Sequence, residues 1–317
     1  HFICYRVQNV SPANLPVEIV ERKGAGHPDT LSDALAEHLS LTYSKYCLEH
    51  FGAILRHQFD KTTIMCGRAR VSFGGGEILD PIRILLNGRA SGRLGDHTIP
   101  LQDILTAATH EFFSLRFPMV NPAKDLRIIF EVRSGDHCTT GGIYGDGHEQ
   151  DAPIHFRFNP RTLADLPETH RTEANDTSLA TAWGPYTDLE RMVLAIDSLL
   201  TSEEGRRLRP WIGSDVKIMA SRHEGNASCV IAAPLLSSLT PDSDTYFKRI
   251  AEVKNAVNLL WERSCKMTLE ELVVNSGDDL AGRKLYMNFT GSSMESGDEG
   301  MVGRGNRIGG LIAPFRP

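Results

Sequence analysis

The stretch ERKGAGHPDTLSDALAEHL, from Glu21 to Leu39, joins a segment with almost no side chains to an amphipathic pattern. After Thr30, apolar residues return every three or four positions, which predicts a helix over about residues 30–50. The predicted helix face carries Leu31, Ala34, Leu35, His38 and Leu39. The first N–H groups of a helix lack internal partners and carry partial positive charge, so this helix start is a candidate anion site.

The residues before the helix are the first candidate site. We expect Gly24 and Gly26 to allow an unusual backbone φ and the close approach of a ligand. Asp29 can cap the helix, and His27 lies two residues before it. The alternative is that Asp29 is only a cap and that His27 is a solvated loop residue.

Three further segments have helical periodicity. They are Leu101 to Phe112, about residues 188–202, and about residues 243–263. The second opens with Thr187-Asp-Leu-Glu190, a capping box that predicts where its helix begins. Strand-like runs lie between the helices: TTIMC (62–66), PIRILLN (81–87), LRIIFEV (126–132), DVKIMA (215–220), ASCVIAA (227–233), ELVVN (271–275) and KLYMNFT (284–290).

The order of these runs predicts an α+β fold. Strands come in pairs between the helices, so simple alternating βαβ winding is not expected, and helices should pack on one face of mixed or antiparallel sheets. A helix with two or three strands recurs along the chain, which indicates repeated subdomains.

Residues 134–176 are rich in Gly, Asp, His and Thr, which predicts a long loop with one short strand at 153–158. His137, His148 and His155 lie there beside several aspartates and could form a transition-metal site. Their spacing matches no zinc signature, which favours a solvated loop.

Composition excludes several classes of protein. The chain has 317 residues, with 41% hydrophobic and 23% charged residues, as is typical of globular proteins. The net charge of −6 gives no basic field for nucleic acid or anionic membrane, and no apolar run is long enough to span a bilayer. The six cysteines form no CxxC pair, which argues against a zinc knuckle or a disulfide scaffold and indicates reduced thiols in the cytoplasm.

The run GDEGMVGRGNR, residues 297–307, is a second candidate site. It places Asp298 before Arg304 and Arg307 in a Gly-rich loop. A carboxylate suits Mg²⁺ and guanidinium groups suit phosphate oxygens, so the run fits a metal–polyphosphate ligand. The alternative is an exposed charged turn.

Three shorter motifs complete the set. Asp215 and Lys217 alternate along a predicted strand and should point to one face, with a surface salt bridge as the alternative. Glu77 ends FGGGE, which is neither a Walker A loop nor a GxGxxG fingerprint and otherwise reads as a hairpin turn. Asp176, in Asn-Asp-Thr, precedes the capped helix.

Together these motifs resemble the S-adenosylmethionine synthetase (methionine adenosyltransferase) family, in its archaeal-type branch. The resemblance spans nearly the whole chain in the right order. It is carried by PVEIVERKGAGHPDT (16–30), HQFDKTTIMCGRARVSFGGGEILDPI (57–82), ANDTS…GPYTDLER (174–191), SDVKIMASR (214–222) and GSSMESGDEGMVGRGNRIGGLIAPFRP (291–317).

The resemblance implies a single unit over residues 1–317, built from three similar α+β subdomains around a pseudo-threefold axis. It also implies a homodimer or dimer of dimers with active sites between subunits. The expected partners are ATP, L-methionine and S-adenosylmethionine, with neither nucleic acid nor membrane. The expected cofactors are Mg²⁺, as two ions, and K⁺.

The resemblance also implies residue roles. His27, Lys217 and Arg304 are the expected catalytic residues, with His27 on the leaving oxygen and the two cations on the phosphate chain. Asp29 and Asp298 are the expected metal ligands. The expected substrate-binding residues are Glu77, Asp176, Asp215, Asp298 and Arg307. Lys61 and Asp60 match a family motif to which we assign no role.

Two departures from the family pattern leave alternatives open. The family continues past IAPFRP into a segment with phosphate-binding lysines that the 317 residues do not contain, which implies weaker turnover for this chain than for a longer one. The start of the chain and the 134–170 loop match the family poorly. A specialised homologue acting on a methionine analogue or another nucleotide, a non-catalytic nucleotide-binding homologue and a polyphosphate hydrolase are therefore alternatives.

Overall fold

The computed structural model describes residues 12–134, 159, 161–165, 184–275 and 285–295. In these ranges the helices are α1 (Pro28–Phe51), α2 (Leu101–Arg116), α3 (Pro122–Asp125), α4 (Asp188–Thr201), α5 (Glu203–Leu208) and α6 (Ser243–Ser264). The strands are β1 (Val17–Lys23), β2 (His57–Gln58), β3 (Thr63–Met65), β4 (Arg68–Ser72), β5 (Gly75–Asp80), β6 (Ile82–Ala90), β7 (Arg93–Leu94), β8 (His97–Thr98), β9 (Leu126–Ser134), β10 (Lys217–His223), β11 (Asn226–Ala232), β12 (Leu235–Leu236), β13 (Thr268–Val274) and β14 (Met287–Asn288).

The described residues form two compact units. The first unit draws on His1–His27, Ala69–Glu77 and Ala182–Pro317, and the second on Pro28–Arg68 and Ile78–Thr181. Each has its own sheet and helices.

The first unit contains a four-stranded sheet in the order β1-β10-β11-β13. β1 runs antiparallel to β10, so that Lys23 lies opposite Lys217. β10 and β11 form a hairpin whose turn residues, Glu224 and Gly225, both have positive φ, as a tight two-residue turn requires. β11 and β13 are parallel, and α6 provides the crossover that a parallel pair needs.

The core of the first unit lies between this sheet and helices α4 and α6. Alternate residues of β10, Ile218 and Ala220, are buried with the apolar stripes of both helices. Met219, on the opposite face of β10, packs instead with Tyr286 and Ala232. Helices therefore cover one face of this sheet, as the sequence predicted.

The second unit is built around the nine-residue strand β6. Short strands β2 and β3 pair antiparallel with it, and β9 pairs parallel with it from Ile82↔Leu126 to Ala90↔Ser134. α2 carries the chain from β6 to β9. α1 packs on α2 and β3, and every fourth residue of its buried face is in the core: Leu31, Leu35, Leu39, Tyr43 and Cys47.

The same order of elements occurs in both units. A helix is followed by two antiparallel strands, a second helix and a parallel strand: α1, β3, β6, α2, β9 in the second unit and α4, β10, β11, α6, β13 in the first. The predicted recurrence and the α+β class with mixed sheets are confirmed. The parallel pairs do contain βαβ crossovers, each embedded in a mixed sheet. The arrangement of three subdomains stays a prediction.

Several element boundaries differ from those predicted. Within the described residues 285–290, the strand predicted at 284–290 is limited to Met287–Asn288, and the strand predicted from Asp215 begins at Lys217. The sequence predicted the turn of the β4–β5 hairpin at FGGGE but not its two strands, and it did not predict β1. The strand predicted at 153–158 lies outside the described residues, as do most of the predicted loop and the three histidines of the transition-metal alternative.

Two further features of the described residues concern their helices and their cysteines. None of these helices is both long enough and apolar enough to cross a membrane. The four described cysteines, Cys47, Cys66, Cys229 and Cys265, form no disulfide among the residues that the structure describes. Burial raises the pKa of the Cys229 thiol to about 12, so this thiol is kept protonated in the core.

Candidate active site

Gly24 and Gly26 belong to a tight backbone junction at the end of β1. The Gly24 N–H donates to the Val216 carbonyl at 2.7 Å, and the Gly26 N–H donates to the Ser214 carbonyl at 2.9 Å. A Cβ on Gly24 would lie 2.6 Å from the Val216 oxygen, and one on Gly26 would lie 2.6 Å from the Ser214 carbonyl carbon. Neither glycine has a positive φ, so the expectation of unusual φ is wrong: these glycines serve backbone packing against residues 214–216.

His27 is held at the end of this junction. Its N–H donates to the Gly24 carbonyl at 3.1 Å, and the residue is only 2% exposed. The alternative of a solvated loop histidine is therefore wrong. An imidazole removed from water interacts more strongly with a nearby charge than one in solvent.

Asp29 lies in the first turn of α1 and is exposed. α1 begins at Pro28, so Asp29 is the second residue of the helix and does not cap it as predicted. Proline is favoured at a first helical position because its missing N–H would have no partner there. An exposed carboxylate in the first turn is stabilised by the helix dipole.

Asp215 is fully buried, with 0% exposure, in the segment just before β10. Its N–H donates to the Gly291 carbonyl at 3.2 Å. Its Oδ2 accepts two hydrogen bonds from Ser293, one from the N–H at 2.8 Å and one from the hydroxyl at 2.5 Å. Its Oδ1 is buried and accepts no hydrogen bond from the residues that the structure describes.

Lys217 is the first residue of β10 and is 1% exposed. It lies between Lys23 of β1 and Ala232 of β11 in the sheet register. The predicted alternation of Asp215 and Lys217 along one strand is wrong, because β10 starts only at Lys217. The alternative of a surface salt bridge is also wrong, because both side chains are buried.

Glu77 lies on β5 of the hairpin formed by β4 and β5. Gly74 has a φ of +78° and provides the turn, which confirms the hairpin reading of FGGGE. Glu77 forms an ion pair with Arg70 across the hairpin, and its side chain is 44% exposed. A half-exposed carboxylate can exchange this partner for a ligand cation at modest cost.

Residues 290–293, here called the 290–293 turn, were not assigned a role from sequence. The Ser292 hydroxyl donates to the Gly26 carbonyl at 2.6 Å, and Ser293 holds Asp215. Serines are common in turns, so nothing in GSSMES marks these two as site residues before the fold is known. The turn joins the His27 segment to the Asp215 segment within the first unit.

The structure brings three of the predicted site residues together within the first unit. His27, Asp215 and Lys217 belong to the cradle formed by residues 24–27, 213–217 and 290–293 of the first unit. Asp29 belongs to the second unit. Asp60 and Lys61 form an exposed ion pair at 3.2 Å. Four predicted site residues lie outside the described part of the chain: Asp176, Asp298, Arg304 and Arg307.

The chain is similar to known proteins over nearly its whole length. The model of the S-adenosylmethionine synthetase (AdoMet synthetase) family matches residues 3–152 and 150–317. An S-adenosylmethionine synthase of Caldivirga maquilingensis is 36% identical over 312 residues, which is 96% of this chain and 71% of that protein. An S-adenosylmethionine synthase of Hyperthermus butylicus is 38% identical over 306 residues, which is 95% of this chain and 70% of that protein.

Among solved structures, one similar chain is that of an unusual S-adenosylmethionine synthetase from Campylobacter jejuni. The TM-score is 0.39 at 11% identity, and the match covers 88% of this chain and 61% of that chain.

Proposed function

The chain belongs to the S-adenosylmethionine synthetase family, and on this premise we propose that it is a methionine adenosyltransferase. It forms S-adenosylmethionine from ATP and L-methionine and hydrolyses the displaced tripolyphosphate to pyrophosphate and phosphate. The observation that supports this most is the family match over both parts of the chain, together with His27 buried in the glycine-rich junction.

The chemistry needs orientation and charge stabilisation more than proton transfer. The methionine sulfur attacks C5′ of ATP, an S–C bond forms, and the C5′–O bond breaks with its electron pair on the triphosphate oxygen. A thioether sulfur carries no proton, so no general base is required. The site must align the two substrates and stabilise the negative charge that grows on the leaving oxygen.

His27 and Lys217 suit that stabilisation. We assign the His27 imidazole to the leaving oxygen and the Lys217 ammonium to the phosphate chain. Both side chains are buried, so they are fixed in place and act in a medium that screens charge weakly. Arg304 and Arg307 have the same role in the proposal, as guanidinium groups that grip phosphate oxygens.

Substrate recognition falls to carboxylates in this proposal. Asp215 has one buried oxygen available for a nucleoside donor. Glu77, with Asp176, receives the ammonium group of methionine, which would share or replace the contact of Glu77 with Arg70. Charge-assisted contacts of this kind are stronger than neutral ones and fix the orientation of the substrate.

Members of this family generally depend on a metal ion, and we propose two Mg²⁺ ions and K⁺. Asp29 fits a Mg²⁺ ligand because it offers a hard carboxylate oxygen that is exposed at the start of α1. Asp298 is the second proposed ligand. Bound Mg²⁺ would neutralise phosphate charge, and Asp29 would hold it while leaving room for several of its waters. The proposal further includes a homodimer or dimer of dimers acting in the cytoplasm, with neither nucleic acid nor membrane as a partner.

One assay tests the proposal. The protein is incubated with ATP, L-methionine, Mg²⁺ and K⁺, and the products are identified by mass spectrometry. We expect S-adenosylmethionine, pyrophosphate and phosphate. Phosphate products without S-adenosylmethionine would instead indicate a polyphosphate hydrolase, and nucleotide binding without any product would indicate a non-catalytic homologue.

A further inference from the structure

Glu295 is a fully buried carboxylate that the sequence and the proposed mechanism leave without a role. It is 0% exposed, at the end of the short 3₁₀ turn Ser293–Glu295. Burial raises the pKa of this carboxyl group, although hydrogen bonds from the chain oppose the rise. A buried carboxyl group is costly, and an apolar residue would avoid that cost, so its presence calls for an explanation.

The two oxygens of Glu295 fasten the start of the 290–293 turn. Oε1 accepts from the Phe289 N–H at 2.7 Å. Oε2 accepts from the Thr290 N–H at 2.5 Å and from the Thr290 hydroxyl at 2.6 Å. One side chain therefore satisfies three donors at the point where the chain enters the turn.

The 290–293 turn holds two segments of the candidate site in place. Ser292 binds the carbonyl of Gly26, next to His27, and Ser293 gives two hydrogen bonds to Oδ2 of Asp215. The turn also packs tightly against the chain beside Asp215, because a Cβ on Gly213 would lie 2.6 Å from the Gly291 Cα. Any rotation of the turn would move these contacts together.

The orientation of Asp215 matters because only one of its oxygens is used. Oδ2 is held by Ser293, whereas Oδ1 is buried and has no hydrogen-bond donor among the described residues. A buried carboxylate oxygen without a donor is costly, and a ligand N–H or O–H group can remove that cost.

We propose that Glu295 is a positioning residue: through the 290–293 turn and Ser293 it holds Asp215 with Oδ1 ready for a donor group of the nucleotide. This rests on the proposed function, in which Asp215 contacts the nucleoside. Glu295 touches neither substrate in this account, and its effect reaches the nucleotide only through Asp215.

Glu295→Gln is the variant that tests this. The amide keeps the size of the side chain but turns an NH₂ group toward N–H donors, so it cannot accept all three hydrogen bonds. We expect KM for ATP to rise on the order of 10- to 100-fold, with a smaller change in KM for methionine. This range is typical of the loss of a residue that orients a metal ligand by a hydrogen bond. Glu270→Gln, an exposed glutamate of β13 in the same unit, is the matched control and should leave both constants unchanged.

A double-mutant cycle separates positioning from a general structural effect. If Glu295 acts through Asp215, Glu295→Gln should add little to the KM for ATP in an Asp215→Asn background. Full additivity of the two changes would overturn the proposal, as would equal effects on ATP and methionine. If Glu295→Gln lowers the melting temperature too far for kinetics, Glu295→Asp takes its place in the same cycle with the same two outcomes.

Failure of the proposed function would look different. A wild-type protein that makes no S-adenosylmethionine contradicts the function itself. In that case the cycle is run on ATP affinity measured by equilibrium dialysis, and additivity there would overturn the role of Glu295. If the wild type makes S-adenosylmethionine and Glu295→Gln has the same KM for ATP and for methionine, only the positioning role is overturned.

Discussion

At the scale of single residues, Gly26 shows how packing of the chain builds the site. Its hydrogen bond to Ser214 brings two backbone segments together so closely that no side chain fits. We expect Gly26→Ala to destabilise the protein by about 1–3 kcal/mol, as overpacking of a well-packed region does. Gly75→Ala is the control, because a Cβ there meets no atom within 4 Å. Equal urea midpoints for the two variants would contradict the role given to Gly26.

His27 is the residue on which the proposed chemistry depends most. If its imidazole bonds the leaving oxygen, that bond strengthens as the C5′–O bond breaks, so it lowers the barrier more than it tightens binding. We expect His27→Ala to slow single-turnover synthesis on the order of 10²–10³-fold, as loss of an oxyanion donor does. His27→Asn keeps a shorter N–H donor and should retain part of the rate. Near-normal synthesis by His27→Ala would remove His27 from the chemistry.

The proposed role of Asp29 as a Mg²⁺ ligand can be tested by the Mg²⁺ requirement of the activity. We expect Asp29→Asn to raise the Mg²⁺ concentration that gives half-maximal activity, because a neutral amide is a poorer ligand for this ion than a carboxylate. A Mg²⁺ titration of activity on both proteins measures this. An unchanged titration curve would show that Asp29 is not a ligand.

His57 makes folding stability depend on pH. It is bonded at Nδ1 to the Leu55 carbonyl and at Nε2 to the Ser40 hydroxyl, and burial lowers its pKa. The unfolded chain therefore binds a proton more readily, so this contribution to stability is present above the ordinary pKa of about 6.5 and is lost as pH falls below it. Unfolding free energies of His57→Gln should fall less between pH 7 and pH 5 than those of the wild type. An equal fall for His57→Gln and the wild type would contradict this.

Residue roles could be predicted only in part from the sequence. His27 was a candidate because it follows a glycine-rich segment, and Asp215 and Lys217 because they lie in a strand-like run. The fold buries all three. Gly24 and Gly26 were predicted to let a ligand approach, but they pack against the backbone of residues 214–216. The sequence could not predict this, because nothing within either segment signals a contact between them. Ser292, Ser293 and Glu295 were missed for the same reason.

At the scale of elements, helices were predictable because their signals are local. The capping box at Thr187 is present as predicted: its hydroxyl accepts from the Glu190 N–H at 3.1 Å, and its own N–H donates to the Glu190 carboxylate at 2.7 Å. The same hydroxyl donates to the buried Glu18 of β1 at 2.5 Å, which ties the helix to the sheet. Strand limits were less predictable, because they depend on partners distant in sequence: β10 pairs with β1, nearly 200 positions away.

We expect Thr187→Ala to lower the unfolding free energy by about 1–2 kcal/mol, since it removes the cap and also the contact to Glu18. Thr187→Ser, which retains the hydroxyl, should lose much less. Denaturant unfolding followed by circular dichroism provides both values. Identical midpoints for Ala and Ser would mean that the hydroxyl contributes nothing to α4.

At the scale of the whole molecule, the repeated order of elements explains why the fold class was predictable. The same five elements, namely a helix, two strands, a second helix and a third strand, follow one another in both units. Each of these elements was predicted from hydrophobic periodicity or from a strand-like run. The parallel pairing of β6 with β9, and of β11 with β13, could not be predicted from periodicity. The crossover helices α2 and α6 are its only sign in the order of elements.

Adenosyl transfer from ATP to methionine is tested by the product stoichiometry with methyl-¹³C-labelled methionine. We expect labelled S-adenosylmethionine together with one pyrophosphate and one phosphate for each molecule formed, and no ADP. Cleavage of ATP without a labelled sulfonium product, or no reaction at any Mg²⁺ and K⁺ concentration, would contradict it.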